Sequence, residues 1–259
     1  MMSGLQRRRS IVVSRILGRV RHPEAILVAT VMATIAAAGW LVTPFWLAVA
    51  ISAQLAIGGM AAVWIIGPVR PELGFARYAT LATAGVALTL FGRLVVPDTG
   101  LAPAPIAAVL LWGVIRLELD LARGGRRVGL DLALVGIVFA AAAGLAALIP
   151  REAWPPAIVP LLMVSSVPAL RAAEARGRSG IEAVGHAALH LLAVAQVAAA
   201  VTLLELPGVV GAAVVALSFH AWGGAAEALD EGAPARSVVL EFGALALLGL
   251  AVAILLSGS

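Results

Sequence analysis

Three histidines in the last third of the chain lie within long apolar segments. His186 and His190 are four residues apart in HAALHLLAVAQ, and His220 follows in the next apolar segment. A polar side chain in hydrocarbon carries a free-energy cost and marks either a functional site or a buried contact. His190 and His220 each lie about nine residues, or roughly 13 Å, from the same end of their segments, so we expect them at equal depth.

Two carboxylates extend this set. Glu227 lies seven residues after His220, and therefore on the same helical face, while Glu241 lies a few residues inside the final apolar segment. The cost of an unpaired carboxylate in lipid predicts that Glu241 turns inward. We therefore expect His186, His190, His220, Glu227 and Glu241 to converge at one end of the last three segments.

Such a set of side chains suits three kinds of chemistry. Histidine and glutamate in a chain can relay protons or bind an ion during transport. The imidazoles with a carboxylate can hold a divalent metal, or His190 and His220 can be the axial ligands of a haem. The sequence slightly favours transport over either cofactor. Packing alone, with each histidine bonded to a neighbouring helix, is an equally good interpretation, and no catalytic residue is assigned.

The segment PPAIVPLLMVSSVPAL contains a second group of unusual residues. Pro160 and Pro168 lack the backbone N–H that a helix needs, and Ser165 and Ser166 lie between them. Interior prolines bend a helix and free carbonyl groups, which then need other partners. We interpret these four residues as a kink that can serve as a gating element of a transporter.

Arginines gather near the end of the fourth apolar segment. Arg123, Arg126 and Arg127 form RGGRR, where guanidinium forks and glycine amides can hold a lipid phosphate, although a loop that fixes topology is the simpler interpretation. Just before it, Arg116 and Asp120 share a helical face and can pair. Arg93, near the end of the third segment, is expected to extend to the headgroups.

The composition establishes the class of protein. The 259 residues are 62% hydrophobic and 12% charged, and the mean hydropathy is +1.04, which indicates a polytopic membrane protein. The chain contains no cysteine, lysine or asparagine, so thiolate zinc sites, cysteine nucleophiles, P-loop lysines and Schiff bases are excluded. The arginines are spread over short loops, which argues against nucleic acid as a partner.

Apolar runs bounded by turn residues or charges predict an all-α bundle of about nine transmembrane helices. The runs cover residues 24–42, 45–67, 78–96, 105–121, 131–149, 156–171, 181–204, 207–229 and 236–257. Residues 23–259 then form a single membrane domain. Residues 1–22 form a basic segment, which we predict to be an amphipathic helix on the cytoplasmic membrane surface.

The distribution of arginine predicts the orientation. With nine spans and a cytoplasmic N-terminus, 15 of the 18 arginines fall in cytoplasmic segments, as the positive-inside rule requires. The C-terminus then lies outside, and we expect the plasma (inner) membrane as the location.

These patterns predict a permease-like or ion-coupled protein that uses the histidine and glutamate side chains as its coupling site. A membrane protein that binds metal or haem is the first alternative, and a structural or assembly subunit is the second; enzyme activity is neither predicted nor excluded. The expected partners are the bilayer, anionic headgroups at the arginine-rich loops, and another membrane protein or a second copy of the chain.

Overall fold

The computed structural model describes residues 22–66, 74–149, 154–206 and 208–257. The predicted amphipathic segment lies outside them, apart from residue 22 at the start of the first helix. The described residues form nine α-helices, which are α1 His22–Leu41, α2 Pro44–Ile66, α3 Arg77–Thr99, α4 Ala104–Ala122, α5 Val128–Leu148, α6 Trp154–Ala175, α7 Gly180–Leu203, α8 Gly208–Asp230 and α9 Ala235–Ser257.

Each of these helices falls on one of the nine apolar runs. The largest difference is at the end of α6, which continues to Ala175 although its apolar run ends at residue 171. Arg171 is the last residue of the run and Glu174 lies in the extra turn; both are buried and bonded to other parts of the bundle. The apolar run therefore stops at a charged residue, while the helix continues for one more turn.

Seven of the described helices are long and apolar enough to cross a membrane. The two that fall outside this group are α4, whose last two turns carry Arg116, Glu118 and Asp120, and α9. The chain is therefore an all-helical integral membrane protein, because a helix satisfies its own backbone hydrogen bonds in lipid. The count of nine spans and their orientation stay predictions.

The packing of the bundle centres on α3, which contacts α1, α2, α4, α5 and α6. On its other side α5 packs against α8, while α7 lies against α6 and α8, and α1 also contacts α4. The last helix, α9, packs mainly against α8. The interior of α5 to α8 is therefore continuous with the core around α3, and α9 lies at the edge.

Small residues allow the helices around α3 to approach closely, as is usual in membrane proteins. A Cβ atom added at Gly144 of α5 would lie 2.4 Å from the carbonyl carbon of Leu90, and one added at Gly92 of α3 would lie 1.9 Å from Nε1 of Trp40. That same indole nitrogen donates a hydrogen bond to the Leu88 carbonyl (3.1 Å). These contacts lock α1 and α5 against α3.

Two polar side chains connect the first three helices. Gln54 is fully buried, and its Nε2 donates hydrogen bonds to the carbonyl of Met32 (2.8 Å) and to Oγ1 of Thr89 (3.3 Å). Arg93 donates from Nη1 to the carbonyls of Gly39 (2.9 Å) and Val42 (2.8 Å). The arginine expected to extend to the headgroups therefore satisfies carbonyls at the end of α1.

Candidate functional site

Charged side chains gather at one end of the bundle, where α4, α6 and α8 end and α3, α5 and α7 begin. We call it the arginine-rich end, after the connections at residues 123–127 and 176–179. Its ion pairs join residues far apart in sequence, such as Glu118 with Arg171 and Arg127 with Glu227. They form two groups, one around α3, α4 and α6 and the other around α5, α7 and α8.

The first group is a buried triad of Glu118, Arg171 and Glu174. Arg171 Nε lies 2.9 Å from Oε1 of Glu118, and Nη2 lies 2.6 Å from Oε2, with side-chain exposures of 1% and 2%. Arg171 Nη1 is also 4.0 Å from Glu174 Oε2. A two-point contact between guanidinium and carboxylate is the strongest geometry available to such a pair.

Glu174 continues the triad to the start of α3. Its carboxylate accepts hydrogen bonds from the backbone N–H groups of Phe75 (2.8 Å) and Ala76 (3.0 Å), where the positive end of the helix dipole favours an anion. Gly74 has φ +90°, and a Cβ there would lie 2.1 Å from the Glu174 Cδ. The triad therefore fixes the start of α3 to the ends of α4 and α6.

The second group is a network of four charges: Arg127, Asp131, Arg176 and Glu227. Arg127 Nε lies 3.1 Å from Asp131 Oδ2, and its Nη2 pairs with Glu227. Arg176 lies farther from both acids, with Nε 3.7 Å from Glu227 Oε2 and Nη2 4.0 Å from Asp131 Oδ1. The network thus joins the start of α5, the end of α6 and the last turn of α8.

Arg176 makes few hydrogen bonds for a buried guanidinium. Its side chain is 13% exposed, and within the described residues it donates one hydrogen bond, from Nη1 to the carbonyl of Ala172 (3.0 Å). Its Nε is buried without a hydrogen-bond partner in the same part of the chain. Burial lowers the pKa of Arg176, which Asp131 opposes, but a guanidinium stays charged at physiological pH.

His190 is the buried histidine of the described chain. It is 5% exposed, its ring stacks on that of Phe219 at 4.0 Å, and Nε2 lies 2.8 Å from the Phe219 carbonyl. Because a carbonyl only accepts, Nε2 carries the hydrogen and donates it. The other ring nitrogen, Nδ1, makes no hydrogen bond to the residues the structure describes.

A small cavity lies between α6, α7 and α8, beside this imidazole. Its volume is about 20 Å³, and its polar lining consists of His186, His190, Arg176 and Arg178, together with Trp222. The other lining residues are small: Ala169, Ala173, Gly223 and Ala226. A cavity of about 10–15 Å³ already holds one water molecule. We call it the histidine cavity.

Of the five side chains expected to converge, three lie close to the histidine cavity. His186 and His190 line it, and Glu227 contacts Arg176, which also lines it. His220 is exposed, because it follows the buried Phe219 and so lies about 100° away around the helix. Glu241 is also exposed, on α9, so the cost of exposure to lipid does not turn it inward.

The positions of the histidines also bear on the cofactors considered above. The described residues contain no group of three or more His, Cys, Asp or Glu side chains able to hold a metal ion. His190 lies level with the residue before His220, as the predicted equal depth requires, but its Nε2 is bonded to the Phe219 carbonyl. With His220 exposed, the two imidazoles do not face a common space that fits a haem.

The proline residues lie within α6, which continues through both of them. Pro168 is buried and Pro160 is partly buried. The two serines between them differ. Ser166 Oγ donates to the Met163 carbonyl (2.7 Å), whereas Ser165 Oγ is buried without a partner in the described chain. Both prolines therefore lie in a continuous helix, whose predicted kink and gating role stay predictions, and the cavity residue Ala169 follows Pro168 directly.

The three arginines of the RGGRR loop have different surroundings. Arg127 is held by Asp131 and Glu227. Arg123 lies 4.0 Å from Asp120, and Arg126 is exposed. Of the three guanidinium groups, that of Arg127 is therefore paired with carboxylates of two helices, and the lipid-phosphate site stays a prediction. The sequence predicts that Arg116 pairs with Asp120. The Arg116 guanidinium lies 5.7 Å from the ring centroid of Trp112.

The sequence did not single out Arg171, Glu174, Arg176 and Arg178 as site residues. The positive-inside rule accounts for the three arginines as cytoplasmic residues that fix topology, yet the four residues supply both groups of ion pairs at the end of α6. One signal was available, since Arg171 and Glu174 are three residues apart and can pair on one helical face. No local pattern identifies their partners on other helices.

Comparisons with models of known protein families, with curated proteins and with solved structures give no match.

Proposed function

We propose that this membrane protein is a permease in which movement of an ion or proton is coupled to the charged groups at the arginine-rich end. The observation that supports the proposal is the histidine cavity, which contains two imidazoles and two guanidinium groups between α6, α7 and α8. Groups of this kind are costly inside a membrane bundle, and they are common where ions or protons move.

The surrounding ion pairs support a role in gating. Arg178 is 9% exposed and pairs with Asp230 and with Glu182, which are 50% and 65% exposed. The cavity therefore lies just beneath the surface, closed by pairs that can separate when α6 and α8 move. Helices interrupted by proline commonly provide such movement, and α6 contributes both Pro168 and the cavity residue Ala169.

The orientation completes the proposal. Nine spans with a cytoplasmic N-terminus place the arginine-rich end on the cytoplasmic side of the plasma membrane, as the distribution of arginine predicts. The coupling site then opens toward the cytoplasm, where anionic headgroups surround exposed residues such as Arg126.

The test is ion flux through the purified chain in proteoliposomes, with a trapped pH indicator and an imposed pH gradient. We expect gradient-driven proton movement in chloride medium above that of empty vesicles. His190→Ala abolishes it, whereas His220→Ala, at similar depth but exposed, leaves it unchanged. No flux in the wild-type protein, or equal loss in both variants, would contradict the proposal.

A structural or assembly role is the second candidate, and one observation favours it. An apolar cavity of about 450 Å³ lies between α8 and α9, lined by residues such as Val214, Leu217, Leu248 and Val252. An apolar helix of a partner fits such a surface through packing alone. Replacing Leu248 with Trp would then release a partner that co-purifies with the wild type, without affecting ion flux.

A further inference from the structure

We propose that the histidine cavity binds one monatomic anion of the chloride class together with one proton, and that His190 carries the proton. The proposal rests on the proposed function, whose coupled ion it names. Three observations carry it: the buried Nε of Arg176, which has no hydrogen-bond partner in the described chain, a cavity lining in which the described residues place no carboxylate, and the hydrogen-bond polarity of His190.

The first observation concerns Arg176. A guanidinium has five N–H donors in a fixed geometry, but within the described chain this one makes a single hydrogen bond, to Ala172. Its acidic neighbours are 3.7 and 4.0 Å away, beyond hydrogen-bond contact. A buried donor without an acceptor is destabilising, and an acceptor in the adjoining cavity would satisfy this guanidinium.

The second observation is the chemistry of the lining. Arg176 and Arg178 both line the cavity, while Glu227 and Asp230, the carboxylates that pair with them, are not among its lining residues in the described part of the chain. The volume of about 20 Å³ accepts a species of roughly water size. Phosphate, sulfate and carboxylates are too large, which leaves a monatomic anion.

The third observation is the state of His190. Nε2–H is held by the Phe219 carbonyl, so the neutral ring offers Nδ1 as an acceptor, while the protonated ring offers it as a second donor. A neutral ring therefore suits a water molecule, which accepts from Arg176 and donates to Nδ1. An anion only accepts, so an anion in contact with Nδ1 requires the proton there.

Charge balance leads to the same coupling. The groups around His190 come from its own helix and from three neighbours: His186 and Glu182 on α7, Arg176 and Arg178 after α6, Glu227 and Asp230 on α8, and Arg127 and Asp131 at the start of α5. They include one more carboxylate than guanidinium. A bound anion would add to this negative excess, and a proton on His190 cancels the addition. The pair of ions thus enters without a change in net charge.

The test uses the full-length chain in detergent micelles, in weakly buffered sodium gluconate with a pH indicator. Addition of sodium chloride is expected to cause saturable uptake of about one proton per chain, with sodium gluconate as the blank. Arg176→Gln abolishes the uptake. Arg126→Gln removes an exposed arginine of the same end and leaves the uptake unchanged.

A second pair of variants separates binding from protonation and from misfolding. His190→Gln keeps an N–H donor for the Phe219 carbonyl but cannot gain a proton, so chloride-dependent proton uptake disappears while the thermal unfolding midpoint stays close to the wild-type value. Gly223→Ala places a Cβ 3.0 Å from Arg176 Nη2 and weakens chloride binding about tenfold or more. Gly185→Ala has open space around it and has no effect.

The outcomes distinguish this proposal from the proposed function. Absence of chloride-dependent proton uptake, or uptake that persists in His190→Gln, overturns the anion and proton site and shows that the cavity holds only water. Flux that is equal in gluconate and chloride also overturns it, while the transport role survives. Uptake without any flux supports the binding site and contradicts the transport role.

Discussion

His190 and His220 show how strongly the surroundings of one residue type determine what it can do. Both lie in apolar helices. His190 belongs to a buried stripe of α7 that also includes Ala183, Ala187 and Val194, and its ring contacts α8. His220 directly follows the buried Phe219 and is exposed. Along α8, a single position separates Phe219, whose ring packs against His190, from His220 on the outer surface of the bundle.

The pair of Glu118 and Arg171 makes a sharp prediction about stability. Each is almost completely buried. Glu118→Gln removes the two-point contact and leaves the Arg171 guanidinium with the more distant carboxylate of Glu174, so we expect the free energy of unfolding to fall by about 3–5 kcal/mol. The double variant Glu118→Leu, Arg171→Met removes both charges and costs much less. Titration with SDS, followed by circular dichroism, measures the free energy of unfolding.

Asp120 provides the control for this prediction. It is on the same helix but exposed, and its contact with Arg123 is 4.0 Å long. Asp120→Asn should change the free energy of unfolding by less than about 1 kcal/mol, since exposed pairs contribute little. If Glu118→Gln is as mild as Asp120→Asn, the triad does not contribute to stability as we infer.

At the scale of the helices, close approach between α3 and α5 is the main determinant of the core. A Cβ at Gly144 would meet the backbone of Leu90 and Phe91 at 2.4 and 2.6 Å, and backbone cannot move aside as a side chain can. We expect Gly144→Ala to cost about 1–3 kcal/mol, as overpacking does, in the same SDS titration.

Gly136 is the matched position on the same helix. Nothing lies within 4 Å of a Cβ added there, so Gly136→Ala should be neutral or stabilise the protein by about 0.5–1 kcal/mol through the helix propensity of alanine. Equal effects of the two substitutions would show that α5 does not pack on α3 in this register.

The helices themselves could be predicted from the sequence, because each apolar run is bounded by residues that end a helix. Which helices pack against one another could not be predicted. Most helices here are apolar on all sides, so hydrophobicity does not mark the buried face as it does in soluble proteins. The contacts of Gly144 with α3, and of Arg171 with Glu118 across 53 positions, depend on the arrangement of the whole bundle.

For the candidate site, the sequence predicted α7 and α8, which line the histidine cavity, but it named only some of the charged residues there. His186, His190 and Glu227 were recognised because ionisable groups in apolar runs stand out. Arg176 and Arg178 were not, because arginine beside a loop also satisfies the positive-inside rule. Arginine near a loop is expected for topology alone, and only its burial in the folded bundle marks Arg176 and Arg178 as residues of the candidate site.

At the scale of the whole molecule, the orientation and the crossing of α4 can be tested together. The chain has no cysteine, so single cysteines report their own accessibility without a background. Asp98 and Arg126 are exposed residues on either side of α4. We expect a membrane-impermeant maleimide to label Asp98→Cys from outside the cell, and Arg126→Cys only in inverted vesicles.

The result has a direct interpretation. Labelling of both positions from one side would show that α4 does not cross the membrane and would reduce the number of spans. Exchange of the two sides would reverse the orientation and place the histidine cavity at the outer surface. A cysteine at Glu231, in the connection from α8 to α9, should behave like the one at Arg126.

The pairing of Arg127 with both Asp131 and Glu227 also has a consequence for the order of events at the ribosome. Glu227 is synthesised 100 positions after Arg127, which takes about 5–20 s at ordinary rates of translation. During that interval Asp131, one helical turn away, is the available counterion. The aspartate is thus the first partner that the arginine meets, and α8 later adds the second.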